Sequence, residues 1–273
     1  IVNSSPAGMI LIALEDITEL EESTESLKTK NAELQAYNKQ LESFTSAASE
    51  SLLEPIRKIY MFGKKVLDNE KAVSETGKHN LKRLLSSANN MNQLIVDVIE
   101  YSKINFNRKD KDFKRTDLNI VLKKTVNDLK TVINEKKPVI NIESLPTLPV
   151  IPLQMQQLFS HLISNSIKYA KEDSVNEITI GAESVGPEEI IDFGANPEVS
   201  YIKLIVTDNG IGFNKDFGAL IFNPFYKLQS NDAQYGSGLG LTLVQKIVYN
   251  HKGYIKVWSE PNKGTIVTIY LPS

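Results

Sequence analysis

The chain has 273 residues, 31 basic and 33 acidic side chains, a formal net charge of -2 and no cysteine. A length above about 250 residues predicts more than one domain. The balanced charge argues against a general attraction to nucleic acid or to an anionic membrane, so no nucleic-acid partner is expected. Lack of cysteine excludes disulfides, thiolate metal sites and a cysteine nucleophile, and is compatible with a cytoplasmic location.

The first predicted elements are a short strand and a helix. Residues 9–14 are apolar and β-prone, and the acidic "EDIT" at 15–18 is typical of a first helical turn. The apolar stretch 7–14 is too short to span a bilayer. Because the chain opens at Ile1 instead of methionine, we expect a fragment or a processed product, with any membrane contact made by a region N-terminal to it.

Leucines recur every seven residues in the next segment, and polar residues fill the alternate seam positions. The leucines are Leu20, Leu27, Leu34 and Leu41, and the polar residues are Thr24, Asn31, Asn38 and Thr45. This pattern predicts a coiled-coil signalling helix over 17–43, in a parallel dimer whose polar positions fix the register. A surface helix on a globular body would need a wider apolar stripe.

Residues 44–107 predict a helical hairpin. An apolar stripe with three- and four-residue spacing runs on to Val66, polar residues at 67–80 interrupt it, and a second helical face runs from Leu81 to Tyr101. One hairpin alone would leave much of its apolar face in water. Two hairpins from two chains would bury these stripes in a dimeric four-helix bundle, so a homodimer is expected.

The sequence pattern changes after a charged segment at 108–116, which we interpret as a linker and domain boundary. From 117 to 273, helix-like segments (117–134 and 152–170) alternate with strand-like ones. The strand-like segments are 138–142, 176–184, 200–207, 253–259 and 264–271. This order predicts an α+β sandwich of helices on a mixed sheet. The acidic stretch 186–198 between two of the strands predicts a solvated loop.

The motif "DNGIG" at 208–212 follows an apolar strand. An aspartate at a strand end can accept a hydrogen bond from an exocyclic amine, and Gly210 and Gly212 let the backbone pass close to a flat ring. By itself the motif equally fits a tight turn.

A second motif, "YGSGLGLTLVQKIV" at 235–248, sets three glycines before and within the first turn of an amphipathic helix. The free N–H groups and the dipole at such a terminus suit phosphates. The motif lacks the lysine of a P-loop and does not close a short βαβ unit, so it is neither a Walker A site nor a Rossmann fingerprint. A flexible loop with a helix cap is the alternative.

The third motif is the helix "LFSHLISNSIKYAK" at 158–171, which sets His161, Asn165 and Lys168 on one side and apolar residues on the other. An asparagine amide oxygen can ligate Mg²⁺, and a lysine can meet a phosphate. An ordinary solvated helix face gives the same pattern.

Taken in order, these motifs and "FNPFYKL" at 222–228 resemble the N, G1, F and G2 boxes of the ATP-binding domain of sensor histidine kinases, a member of the GHKL (Bergerat) superfamily. The resemblance covers about 115–273 and implies the cofactors ATP and Mg²⁺. It implies that Asp208 binds the adenine amine, Asn165 the Mg²⁺, Lys168 and Lys227 the phosphates, that Tyr169 lines the pocket, and that 223–240 form a mobile lid. The further residues that it places in the nucleotide site are His161, Gly210, Gly212, Phe225, Gly236, Gly238, Leu239, Gly240 and Leu241.

The N-terminal half is similar to other parts of the same kinases. Residues 1–16 resemble the end of a PAS sensor domain, and 44–107 the dimerisation and histidine-phosphotransfer hairpin, which implies a response regulator receiver domain as partner. In that pattern "ASESLLEP" puts Glu50 at the phosphoacceptor histidine and Ser51 at its acidic neighbour. A carboxylate brings negative charge toward the triphosphate, so autophosphorylation is expected to fail, whether the substitution is natural or engineered.

Two alternatives remain open. A GHKL-type ATPase carries a glutamate base where His161 stands, and histidine kinases usually carry asparagine there, so this position leaves the Mg²⁺ site in question. A non-catalytic dimeric scaffold that binds no nucleotide is the other alternative. Of the remaining histidines, His79 is expected on the surface and His251 in a structural role.

Overall fold

The computed structural model describes residues 2–4, 10–12, 18–69, 73–104, 112–186, 189–190, 193, 198–228 and 237–273. The chain divides into two compact units, residues 1–43 and 44–273. In the first unit, strand β1 (Val2–Ser4) pairs antiparallel with β2 (Ile10–Ile12). β2 lies inside the predicted strand 9–14, whereas the predicted helical turn at 15–17 lies outside the described residues.

Two long helices carry the heptads and the predicted hairpin. Helix α1 (Thr18–Asn69) is 52 residues long and continues through Pro55 without interruption. Helix α2 (Glu75–Ile104) begins six residues before the apolar face predicted from Leu81. Between them, Ile56, Ala88 and Ile95 form a small buried cluster, to which Leu53 and Ile99 add partly buried contacts.

Most of the predicted hairpin stripe is exposed in the single chain. Leu52 is 52% exposed, Phe62 57% and Met91 55%. Water contact at so many large apolar side chains along one pair of helices is uncommon for a surface that stays unpartnered. The buried cluster of one hairpin is therefore much smaller than its apolar stripe.

The C-terminal part of the second unit is built on a five-stranded sheet. Its strands lie in the order β4-β6-β7-β9-β8, with β4 parallel to β6 and the other pairs antiparallel. They are β4 (Val139–Ile142), β6 (Glu177–Ser184), β7 (Tyr201–Asp208), β8 (Tyr254–Glu260) and β9 (Gly264–Pro272). All five predicted strands are therefore confirmed, in a mixed sheet.

Helices cover the sheet and form the core with it. They are α3 (Leu118–Asp128), α4 (Lys130–Lys136), α5 (Pro152–Lys168) and α6 (Gly240–Asn250). Phe159 of α5, Leu243 of α6 and Ile180 of the sheet are fully buried in one cluster. The segment predicted as one helix at 117–134 is two, because Leu129 leaves the helical backbone and caps α3 through its N–H to Thr125.

The predicted linker at 108–116 is wrong at its C-terminal end. Residues 114–116 belong to strand β3 (Lys114–Asp117), which pairs antiparallel with β5 (Thr147–Val150). The strand is charged and only four residues long, so it shows no apolar alternation. Strand β5, with which it pairs, packs into the core through the buried side chains of Leu148 and Val150. Residues 105–111 lie outside the described residues.

The acidic loop at 186–198 is not wholly solvated, which corrects the expectation from its composition. Ile190 is buried against Tyr201 and Tyr270. Tyr270 donates its hydroxyl to Glu189 at 2.8 Å, and Lys203 lies 3.0 Å from the same carboxylate. Glu189 is thus paired with side chains of β7 and β9 on the sheet surface. In the part of the chain that the structure describes, no helix has the length and apolar character to cross a bilayer.

Candidate functional site

Helix α5 presents the polar face that its sequence predicts. Leu162, Ile163 and Ile167 are buried in the core, whereas His161 and Asn165 are only partly buried. The apolar side fastens the helix to the sheet, because it belongs to the main core cluster. The polar side is left to line the edge of the domain.

Asp208 lies at the end of β7 and is held by a network of donors. Ser166 Oγ donates to one of its carboxylate oxygens at 3.1 Å, and the Gly210 N–H donates to the other at 2.9 Å. Burial raises the pKa of Asp208, and the hydrogen bonds from Gly210, Ser166 and Thr265 oppose that rise. A fixed carboxylate of this kind is suited to accept from an exocyclic amine.

Asn176 adjoins this network and was not predicted from the sequence. Its amide nitrogen donates to the Ser166 carbonyl at 3.2 Å. Within the described ranges, Asn176 Oδ1 is the one buried side-chain polar atom without a hydrogen-bond partner. An orphaned buried oxygen next to Ser166 therefore keeps a hydrogen-bonding capacity that no described group of the protein uses. A lone asparagine in a loop gives no motif from which this position follows.

The turn after Asp208 is tied to the end of α5. The Ile211 N–H donates to the Tyr169 carbonyl at 2.9 Å. A Cβ atom on Gly210 would lie 2.5 Å from that carbonyl oxygen, so glycine is required for the close approach. The Lys168 ammonium lies 4.5 Å from the centroid of the Tyr169 ring. Gly212 has a φ of 59° and closes the same turn.

The glycine-rich turn before α6 is joined to the "FNPFYKL" segment. The Phe225 N–H donates to the Gly238 carbonyl at 3.1 Å. Both residues have left-handed backbones, with φ of 63° at Phe225 and 78° at Gly238. Phe225 is non-glycine and exposed, so this strain is of the kind that collects at functional sites.

The remaining predicted nucleotide-binding residues differ in how their side chains are placed. Leu239 is buried and Leu241 packs against the core, so only their backbones face the site. Lys227 is exposed on the lid segment. Gly236 and the rest of 229–236 lie outside the described residues, so the predicted lid at 223–240 is described only at its two ends.

The first turn of α6 lies against the polar face of α5. A Cβ atom on Gly240 would lie 3.4 Å from His161 Nδ1 and 3.9 Å from Asn165 Oδ1. An eleven-residue helix therefore begins beside an imidazole and an amide oxygen. Its free N–H groups and dipole favour an anion, and Asn165 Oδ1 suits a hard cation that accompanies it.

The donor set bears on Mg²⁺ directly. In the described ranges, no group of three or more histidine, cysteine, aspartate or glutamate side chains converges as a metal cluster. Mg²⁺ in nucleotide sites keeps several waters and takes few protein ligands beside the phosphate oxygens. One amide oxygen at the phosphate end, as Asn165 provides, fits that coordination.

The structure places the other singled-out residues as follows. Glu50 and Ser51 lie within α1, and Ser51 is exposed. His79 is exposed on α2, as predicted. His251 is buried, accepts from the Ile151 N–H at 3.0 Å through Nε2 and lies 2.8 Å from the Ile247 carbonyl through Nδ1. Burial lowers the pKa of His251, so the imidazole is neutral and structural.

Helix α2 contacts the sheet domain through residues that were not predicted from the sequence. His161 lies 3.4 Å from Glu100, and the Ser237 hydroxyl donates a hydrogen bond to Asp97. Neither acidic residue stands out in sequence, since charges on a helix are usually solvated. Only the fold brings them to the edge of the candidate site.

Comparisons with known proteins agree with this geometry. Residues 151–273 match the family model of the histidine kinase-, DNA gyrase B- and HSP90-like ATPases. The chain is similar to cyanobacterial phytochrome B of a Nostoc species, with 32% identity over 98% of this chain and 33% of that protein. It is 25% identical to the sensor-like histidine kinase SenX3 of Mycobacterium tuberculosis, over 84% of this chain and 53% of that protein.

The fold also has a counterpart among solved structures. Full-length ShkA in complex with AMPPNP superposes with a TM-score of 0.58 at 18% identity, over 84% of this chain and 45% of that one. This likeness concerns the fold. The chain spans about a third of the phytochrome and about half of SenX3.

Proposed function

Residues 151–273 belong to the histidine kinase-, DNA gyrase B- and HSP90-like ATPase family, and from this premise we propose that the chain is the core of a sensor histidine kinase that binds Mg-ATP and signals through a paired helical hairpin. Under this proposal the chain is a nucleotide-dependent signalling core in the cytoplasm, and its own acceptor position receives no phosphoryl group. Its signalling partner is a response regulator receiver domain.

One observation carries the ATP proposal: three separately predicted motifs come together at one edge of the domain. Asp208 and its glycine turn are bonded to Tyr169 at the end of α5, and Gly240 lies beside His161 and Asn165 of the same helix. An amine acceptor at one end of a helix and an anion site further along its face suit a nucleotide with its phosphates extended. ShkA, which shares the fold, is solved with AMPPNP.

Each residue has a role under this proposal. The Asp208 carboxylate accepts from the adenine amine, and the Gly210 N–H and Ser166 hydroxyl hold that carboxylate in place. The backbone N–H groups at the start of α6 bind phosphate oxygens. Lys168 and the exposed Lys227 contribute positive charge, and the Tyr169 ring lines the pocket.

Mg²⁺ belongs to the phosphate end of this site. The metal neutralises phosphate charge when bound. Asn165 would hold it through Oδ1, and His161 beside it is placed to hydrogen-bond a phosphate oxygen. Because the protein offers one amide ligand there, metal affinity depends on the nucleotide.

The acceptor position explains why phosphoryl transfer to the hairpin fails. A phosphoacceptor needs a nucleophile with an available lone pair aligned with the γ-phosphate. The resemblance puts Glu50 at the acceptor position. Its carboxylate would add negative charge to the approach of an anionic triphosphate, and any acyl phosphate formed there would be labile. Ser51 points about 100° away around the helix, since an α-helix turns by that angle per residue.

The exposed hairpin stripe supports the proposed homodimer. Leu52, Phe62 and Met91 contact water in one chain, and they follow the helical stripe that predicts a four-helix bundle. Pairing of two hairpins would remove these side chains from water, which stabilises the dimer by about 25 cal/mol for each Å² of apolar surface buried. Leu27, on a heptad leucine position, is also exposed in the single chain.

Two competing functions are distinguished by nucleotide chemistry. A GHKL-type ATPase needs a glutamate base at position 161, where this chain has histidine, and it would show steady ATP turnover. A scaffold would bind no nucleotide. Titration with a fluorescent ATP analogue, with and without Mg²⁺, is expected to show saturable Mg-dependent binding, and a turnover assay with the same preparation is expected to show no sustained release of phosphate. Absence of binding contradicts the proposal.

A further inference from the structure

The C-terminal end of α2 is bound to the nucleotide domain inside the unit 44–273. Ile104 is buried in the main core cluster, and Val98 and Tyr101 pack against it. Lys246 of α6 lies 3.3 Å from the centroid of the Tyr101 ring and donates to the Tyr101 carbonyl at 3.2 Å. These contacts set the last turns of α2 beside α6.

Two carboxylates on this part of α2 make polar contacts with the domain. Asp97 is buried and accepts from Gln93 at 2.8 Å and from the Ser237 hydroxyl. Glu100 lies 3.4 Å from His161 Nε2. The hydrogen bond from His161 lowers the pKa of Glu100 more than burial raises it, so Glu100 is ionised at neutral pH.

The residues that these carboxylates hold are at the proposed phosphate end. Ser237 directly precedes Gly238, and its hydroxyl also accepts from the Leu239 N–H at 3.1 Å. His161 lies next to Gly240, the first residue of α6. One acidic side chain is therefore bonded to the glycine turn and the other to the α5 residue that faces it.

Electrostatics gives this arrangement a direction. A helix N-terminus attracts negative charge, and a carboxylate placed there occupies the field that a triphosphate would use. Like charges brought close together oppose each other, most strongly where water is excluded. Docking of α2 and binding of a triphosphate therefore act against each other.

We propose that Asp97 and Glu100 form an acidic latch that holds the phosphate end of the nucleotide site on α2 and lowers its affinity for Mg-ATP. The latch rests on the proposed nucleotide site. Because linkage is reciprocal, Mg-ATP weakens the docking of α2 by the factor by which docking weakens Mg-ATP. Nucleotide binding is thereby reported to the hairpin without any phosphoryl transfer.

The first test removes the charges and keeps the shapes. The variant with Asp97→Asn and Glu100→Gln is made in the full chain, and its Kd for a fluorescent ATP analogue with Mg²⁺ is compared with that of the parent. We expect a Kd at least about fivefold lower, the low end of typical coupling between sites. The matched control, Asp68→Asn with Glu75→Gln, removes two charges from exposed positions, one on α1 and one on α2, and is expected to leave the Kd unchanged.

An unchanged or higher Kd in the double variant, with a normal thermal melt, overturns the latch. If neither parent nor variant binds the analogue, the proposed nucleotide site itself fails, and the latch fails with it. Binding by the variant alone supports a latch strong enough to close the site.

The second test measures docking directly and exploits the absence of native cysteine. Asp97→Cys with Ser237→Cys sets two thiols where the two side chains are now hydrogen-bonded. Glu100 remains, so Mg-ATP is expected to slow disulfide formation at least about twofold under mild oxidation, as undocking lowers the docked population. A rate that Mg-ATP raises or leaves unchanged contradicts the proposal.

Discussion

Replacement of Gly238 by alanine tests whether the glycine-rich turn positions the nucleotide site. Gly238 has a φ of 78°, and a left-handed backbone costs an ordinary L-residue about 1–2 kcal/mol. An added Cβ would lie 2.8 Å from the Phe225 carbonyl carbon and 2.9 Å from its Cα. Relief of that clash breaks the hydrogen bond from Phe225 to Gly238, which contributes about 0.5–1.5 kcal/mol more.

These effects sum to about 1.5–3.5 kcal/mol for Gly238→Ala. In a domain of this size each kcal/mol lowers Tm by about 2–4 °C, so a decrease of about 3–14 °C is expected. Because the turn leads into the phosphate-binding terminus of α6, Mg-ATP affinity should fall about tenfold or more. Differential scanning fluorimetry and fluorescent-analogue titration measure the two effects.

The matched control is Gly186→Ala. Gly186 has no left-handed φ, and a Cβ there meets no atom of the described residues within 4 Å. It should leave both Tm and affinity at the parent values. If Gly238→Ala behaves like this control, the steric reasoning is refuted; if Tm falls and affinity does not, the turn is structural and the phosphate site lies elsewhere.

Three further predictions follow from named contacts. Ser166→Ala removes a donor to Asp208, so the pKa of that carboxyl rises further and the loss of ATP affinity on acidification begins at higher pH; Ser160→Ala on the same helix should leave the Kd–pH profile in place. His251→Ala should destabilise the domain by about 2–4 kcal/mol in chemical denaturation without changing ATP affinity, since it leaves the buried donor of Ile151 unpaired. In the parent, the depressed pKa of His251 contributes stability that is complete above the unfolded pKa of about 6.5 and is lost as pH falls through the folded pKa. An unfolding free energy that does not change below pH 6.5, or that changes equally with pH in the variant, would contradict this structural role of His251. Phe62→Glu should convert a dimer to a monomer in analytical ultracentrifugation with ATP affinity unchanged, and a persistent dimer would refute pairing through the exposed stripe.

The sheet and the α5 face were predictable because each has a repeating signal. In strands β6 and β7, buried residues recur two positions apart, as at Ile178 and Ile180 and at Leu204 and Val206, and the apolar residues of α5 recur at helical spacing. The charged strand β3 has no such signal, since only its register with β5 makes it a strand. The break at Leu129 is likewise invisible in the apolar pattern of 117–134.

The site divides in the same way. Asp208, Asn165 and the glycines lie in recognisable motifs, so a site that includes them could be predicted from the sequence, and the structure brings them to one edge of the domain. Asn176 and Asp97 lie in no motif, and their importance depends on contacts with residues 10 and 140 positions away. Long-range contacts of buried polar groups are set by packing, which one sequence does not display.

We propose an intact Mg-ATP site beside a hairpin with no usable acceptor. Incubation with γ-labelled ATP distinguishes this arrangement from an active kinase when the parent is compared with the Glu50→His, Ser51→Asp variant, which restores the acceptor pattern that the resemblance implies. We expect no label on the parent and stable label on the variant, with equal ATP affinity in both. Label on the parent at Glu50, Ser51 or any histidine, or failure of both chains to bind ATP, would contradict it.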